Sequence, residues 1–347
     1  MKAKKPSTTP LAWVGSITAV FSLIAGIYGG WAFFSGQLER RRAIDHLLAA
    51  EAVQLHSSDY ESAWNSLDQA ATIDSSSAHV QQAQEDVAMQ WLDNMRISGD
   101  QTFASIAEKL EPVLTRGAAS AKSPQRQADL MAHLGWSYFL RSRELPSSPD
   151  PELSYRDALL KDPANPYAHA MWGHWILWNH QGFAKASEHF AAALAAPRPA
   201  LRPYIRSMQL SALNNEDTPE AVEEIIRVAN DIRKEHGDLD PHWPHTILNI
   251  YCEHMVPPDE HKAAFLSAVP PLDHVDTFDW LLQRAGPDDP DPLTHAYIRS
   301  ALLEAAGRRD EALAGYRTLQ ARFGPDSSDS TLANVTRKAV VRLTAAR

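Results

Sequence analysis

Residues 167–199 read YAHAMWGHWILWNHQGFAKASEHFAAALAAPRP, and the spacing of their large and small side chains is that of two antiparallel helices joined by a short turn. Trp172 and Gly173 stand side by side, Ile176 follows one turn later, and Gly182-Phe183 marks the turn. Ala186, Phe190 and Ala193 then recur at helical spacing until Pro197 and Pro199 close the segment. Small residues such as Gly173 and Ala186 let two helix backbones approach, and Trp172, Ile176, Phe183 and Phe190 fill the seam between them.

The same pattern recurs along the chain. Upstream, Leu134-Gly135 and Tyr138 repeat the first half, and Tyr155, Ala158 and Pro163 the second, separated by a Pro- and Ser-rich insertion from Glu144 to Asp150. Near the carboxyl end, Leu303, Gly307, Ala312, Tyr316, Leu319 and Gly324-Pro325 form a third copy. A fourth, without the glycine and closing proline, is Leu47, Ala50, Tyr60, Ala63, Leu67 and Ala70; Ala221, Ile225 and Val228 read as the second helix of a degraded copy that follows Tyr204 to Leu213. This recurrent motif resembles the tetratricopeptide repeat over about 190 residues. The resemblance implies an all-α fold, a helix-hairpin solenoid; the transmembrane helix expected ahead of it is read separately, from the composition described below.

Between the copies the helical period persists, at Ala83, Val87 and Trp91 and again at Phe103, Ile106, Leu110 and Leu114. Gly117 to Gln125 is small, polar and proline-containing, and reads as a break. Seven prolines between Val256 and Pro292 predict short helices separated by extended turns, and Leu332, Val335, Ala339 and Leu343 predict a terminal capping helix. No alternating, β-branched stretch of strand length competes with this picture.

Ahead of the repeats, Leu11 to Phe34 contain no charged residue, His, Asn, Gln or Pro. A helix of that length spans ~36 Å, enough for a ~30 Å hydrocarbon core. A cleaved signal is the alternative, with Lys2, Lys4 and Lys5 as its basic region, but the run is longer than an h-region and no small-x-small exit follows it. Three lysines before the run and Arg40, Arg41 and Arg42 after it leave the charge rule balanced; the free amino terminus tips the expectation towards a bacterial inner-membrane protein with a periplasmic bulk. Ser22, Gly26 and Gly30 form a small-residue row of the kind by which membrane helices pair, so a homodimer is one expectation. The resulting organisation is a tail (1–10), a transmembrane helix (11–36), an anchor-proximal helical segment with one repeat (37–116), a central array (126–235), a Pro-rich connector (236–292) and a last repeat with its cap (293–347).

From Ala43 onward the chain carries 27 Lys+Arg against 42 Asp+Glu, a formal charge of −15, which offers no basic groove to a nucleic acid. Cys252 is the only cysteine, so there is neither an internal disulfide nor a multi-cysteine metal site. His242, His245 and His254 lie near one another in sequence, but His242-Trp243-Pro244-His245 reads as a turn and lacks metalloenzyme spacing. His169 and His174 flank Trp172 with no nucleophile motif beside them, and no Gly-rich phosphate loop occurs. The expectation is no catalytic residue, no metal and no cofactor.

Tyr167, His174, Leu177 and Trp178 are placed by the resemblance on the concave face of the array, as a groove for a protein or peptide partner. Some members of the family clamp a terminal carboxylate there with Lys, Asn and Arg, but the matching positions here are Ala170 and His174, which supply no such clamp. Three functions follow as expectations: a membrane-anchored protein-interaction scaffold in the cell envelope, an envelope or transport-associated enzyme with a histidine metal site, or an organelle import-receptor-like repeat protein.

Overall fold

A computed structural model describes residues 35–94, 101–216, 218–256, 262–286, 290–323 and 331–345 of the chain. All regular structure among them is helical. The apolar run 11–34, and with it Ser22, Gly26 and Gly30, lies outside the described residues. Among those that are described, no helix is long and apolar enough to cross a membrane.

Helix α1 covers 35–56. It is followed by α2 (Tyr60–Ile73), α3 (Ala78–Asn94), α4 (Phe103–Ser120), α5 (Pro124–Ser142), α6 (Pro151–Lys161), α7 (Pro166–Trp178) and α8 (Phe183–Ala195). After a single 3-10 turn come α9 (Arg202–Leu213), α10 (Pro219–Lys234), α11 (Trp243–Met255), the short α12 (Lys262–Ser267), α13 (Pro271–Ala285), α14 (Pro292–Ala305), α15 (Arg309–Gln320) and α16 (Thr331–Ala345). Prolines open many of these helices, among them Pro151, Pro166, Pro244, Pro271 and Pro292 in the first turn. There a missing N–H costs nothing and the fixed φ already suits the helix. Side-chain caps fix several starts: Asp59 accepts from the Ser62 amide, Asn165 from Ala168 and Thr218 from Ala221.

Two of the expected breaks are therefore misplaced. Gly117 to Gln125 is not one loop, because α4 runs on to Ser120 with Gly117 and Ala118 buried, and α5 starts at Pro124. His242 to His245 is not a free turn but the start of α11, with Trp243 buried and Pro244 in the first turn. In both places a residue that breaks helix interiors sits where the backbone tolerates it, at a tight helix contact or at a helix start.

The chain forms two compact units, one made of Met1–Ala121 with Leu140–Ser148 and the other of Lys122–Phe139 with Pro149–Arg347. In the first, α2 packs on α3 and α3 on α4. Ile44 of α1, Ala70 and Val80 are buried together, and Tyr60 stacks on Trp91 at 6.4 Å. The start of α4 is held by a capping box between Thr102 and Ser105. It is held again by Glu144, whose carboxylate accepts from the Phe103 and Ala104 amides at 3.1 and 2.8 Å.

In the second unit the hairpins predicted from the motif are present. α7 packs on α8, α9 on α10, and α14 on α15, with α16 against α15; α7 also lies beside α9, the first helix of the next hairpin. The motif residues Ala186, Phe190, Ala193, Leu303, Ala312, Tyr316 and Leu319 are all buried. Of the motif glycines, Gly135 and Gly173 sit where helices touch, a Cβ on Gly173 lying 3.1 Å from a ring carbon of Phe190 and 3.2 Å from the carbonyl oxygen of Ala186, whereas Gly182 and Gly307 have open space around them and a positive φ.

Candidate functional site

Two surfaces, one in each unit, have the side chains of a docking site. In the second unit, α5, α7 and α9 place one ring each in a row. His133 meets Tyr167 edge-on at 4.6 Å between centroids, and Tyr167 meets Tyr204 at 5.5 Å. Beneath them Asp129 is buried and fully engaged: Arg198 donates to both its carboxylate oxygens at 2.7 and 3.0 Å, and the buried Asn165 amide donates at 2.7 Å. Because the side-chain oxygen of the same Asn165 accepts from the Ala168 amide and caps α7, this one network fixes the helix start and the Tyr167 ring together, with the Arg198 guanidinium 5.1 Å above that ring.

Of the four groove residues expected on α7, Tyr167 and Trp178 are half-buried and reach the surface in part. His174 and Leu177 are only 3% and 2% exposed. The His174 ring lies 5.0 Å from Trp136 and 5.4 Å from Phe139, and stacks on Trp178 at 6.2 Å. α7 is apolar on every side, the composition of a helix surrounded by others, and the density of tryptophan in 172–178 was the sequence signal for that.

At the other end of the same hairpin, His169 and His189 approach through their Nδ1 atoms at 3.0 Å. Nε2 of His169 lies 3.1 Å from the Pro163 carbonyl, so that nitrogen donates and its Nδ1 is left to accept from His189. Burial lowers the pKa of both, His189 to about 4, helped by His169 and Lys185 beside it. Trp172 next to them carries Lys185 and Arg156 at 5.5 and 6.0 Å from its ring. His242 lies on Trp243 and His254 on Phe265, each as an ordinary ring contact. Among the described residues no three His, Cys, Asp or Glu side chains converge to hold a metal ion.

The surface in the first unit was not expected. α2, α3 and α4 enclose an open groove of about 420 Å3. Trp64, 6% exposed, and Val113 form its apolar floor, with the buried Gln84 amide between them. Asn65 and Asp68 line the α2 wall, and Lys109 and Arg116 line the α4 wall. Arg116 donates to the neutral Gln84 oxygen at 3.3 Å and forms no ion pair with a described carboxylate. Lys109 is 4.0 Å from Glu61, the outer limit of an ion pair, and its ammonium lies 5.6 Å from the centre of the Trp91 ring. The positions 109, 113 and 116 share one face of a helix, which the sequence contains; that α2 lies opposite them depends on contacts between distant segments, which it does not reveal.

No family model matches the chain, and no curated protein sequence matches it. A crystal structure of a tetratricopeptide repeat protein from Parabacteroides merdae is similar over 85% of this chain and 99% of its own, with 11% identity and a TM-score of 0.39. The helical-hairpin architecture rests on the contacts of this chain itself.

Proposed function

We propose that the protein is a membrane-tethered interaction scaffold: the run 11–34 anchors it, its helical hairpins face the periplasm of a bacterial envelope, and they dock other proteins and not a substrate to be transformed. The observation that carries this reading is the groove between α2 and α4, an open concavity whose Arg116 guanidinium is charged, exposed and without a carboxylate partner among the described residues. Charged groups left unmatched at the rim of an apolar floor are the ordinary makings of a specific interface. Tethering adds to this by confining the scaffold and its partners to the bilayer plane, which raises their effective concentration without any new contact.

Full-length protein and a version beginning at Gln37 provide the test. The full chain is expected in the membrane fraction, with its bulk cut by external protease in spheroplasts, and the shortened form is expected to be free of membranes and helical. A shortened form that stays with the membrane, or a bulk resistant to protease until the cells are lysed, would overturn the anchor or the topology respectively.

A further inference from the structure

We propose that the α2–α4 groove binds an extended acidic segment of a partner protein, with two of its carboxylates three residues apart on Lys109 and Arg116. This rests on reading the chain as an interaction scaffold and specifies the chemistry of one partner. Three observations lead to it.

The first is charge. The described part of the first unit is predominantly acidic, yet the groove's α4 wall displays Lys109 and Arg116, one loosely paired and the other paired only with an amide. A guanidinium that is already desolvated on one side by an amide gains a charge-assisted hydrogen bond when a carboxylate arrives, and does not have to surrender an existing one.

The second is spacing. Residues 109 and 116 are two turns apart on α4, a rise of ~10.5 Å. An extended polyproline-II segment repeats its side-chain direction every third residue, over ~9.3 Å. Carboxylates at i and i+3 therefore meet both cations, whereas those at i and i+1 point apart.

The third is the opposite wall and the floor. Asn65 offers an amide donor and acceptor, and Gln84, whose oxygen accepts from Arg116, an amide donor, suited to an extended main chain, which has no internal hydrogen bonds of its own. Asp68 repels an acidic side chain from α2 and so fixes which edge of the segment faces α4. Trp64 and Val113 leave an apolar floor for a side chain between the two acids.

The test overlays full-length protein in lipid nanodiscs on an array of end-capped peptides in a Gly/Ser/Leu background. Each peptide carries two Glu separated by zero to four residues, with matched Gln and Lys series. The expected result is binding to the Glu series over the Gln and Lys series, a maximum at i,i+3, and weakening with salt. The double variant K109Q/R116Q, whose positions are exposed and whose helicity is checked by circular dichroism, is expected to lose about tenfold, down to the Gln level. Equal binding to Glu and Gln spots, preference for Lys spots, no binding to any spot, or a double variant that binds as the parent does would each overturn the proposal. Partners crosslinked to other surfaces of the protein would, in any of those cases, leave the scaffold reading in place.

Discussion

Two glycines and two histidines show how much individual atoms constrain this fold. A Cβ on Gly135 would lie 2.7 Å from a ring carbon of Tyr155, the same kind of close approach that Gly173 allows at Phe190. Adding volume there pushes apart two helices that have no slack. Gly173→Val is expected to destabilise the protein by about 1–3 kcal/mol, read as a lower denaturant midpoint. Both positions were legible in the sequence, because a glycine beside a large apolar residue within a helical period has few other uses. The histidines were not legible, since nothing in the local sequence says that His189 faces His169 or that His274 is fully buried against Tyr251. Burial lowers the pKa of each to about 4. The unfolded chain takes up these protons near pH 6.5 and the folded chain resists until about 4, so the stability from the neutral forms is present above about pH 6.5 and lost as pH falls towards 4. For His274 alone the loss is on the order of 3 kcal/mol. Thermal melts between pH 7 and 4 should show it, and the fall should be shallower in His274→Gln; equal slopes in the two proteins would remove His274 from the account.

At the scale of the element, helix positions followed from periodicity and helix starts from chemistry that only the fold resolves. Pro244 and Pro292 stand inside sequences that suggest turns, yet each opens a helix. The start of α4 is a sharper example, because Thr102 and Ser105 form a local capping box while Glu144, some forty residues later, accepts from the first two amides of the helix. Those amide bonds hold the Glu144 carboxyl below its ordinary pKa, the Ala104 bond foremost. A negative charge at a helix N-terminus also complements the helix dipole. Glu144→Gln is expected to raise hydrogen exchange at Phe103 and Ala104 while leaving the middle of α4, around Leu110, protected. The same local fraying should appear in the unaltered protein as pH falls below the usual carboxylate range, since a lowered pKa means stability lost on protonation. Unchanged exchange at the two amides would mean that the capping box alone holds the helix start.

For the whole molecule, the repeating hairpins were legible because each copy repeats the same small and large residues, and four weak matches together specify an all-helical chain. Which surfaces stay open was not legible. The α7 face expected to be a groove has His174 and Leu177 buried, His174 against rings that α5 brings from some forty residues upstream, whereas the open concavity lies between α2 and α4. A surface becomes available only where neighbouring helices leave it uncovered, and that depends on contacts no short window of sequence contains. The proposed scaffold therefore makes its most exposed claim at this groove. Photocrosslinking in intact cells from benzoylphenylalanine placed at position 75, which lines the groove, is the sharpest measurement. A discrete protein adduct in the membrane fraction is expected, reduced about tenfold when Lys109→Gln and Arg116→Gln are introduced in the same chain; an adduct of undiminished yield in that double variant, or none from position 75 while other surfaces crosslink, would contradict docking at this groove.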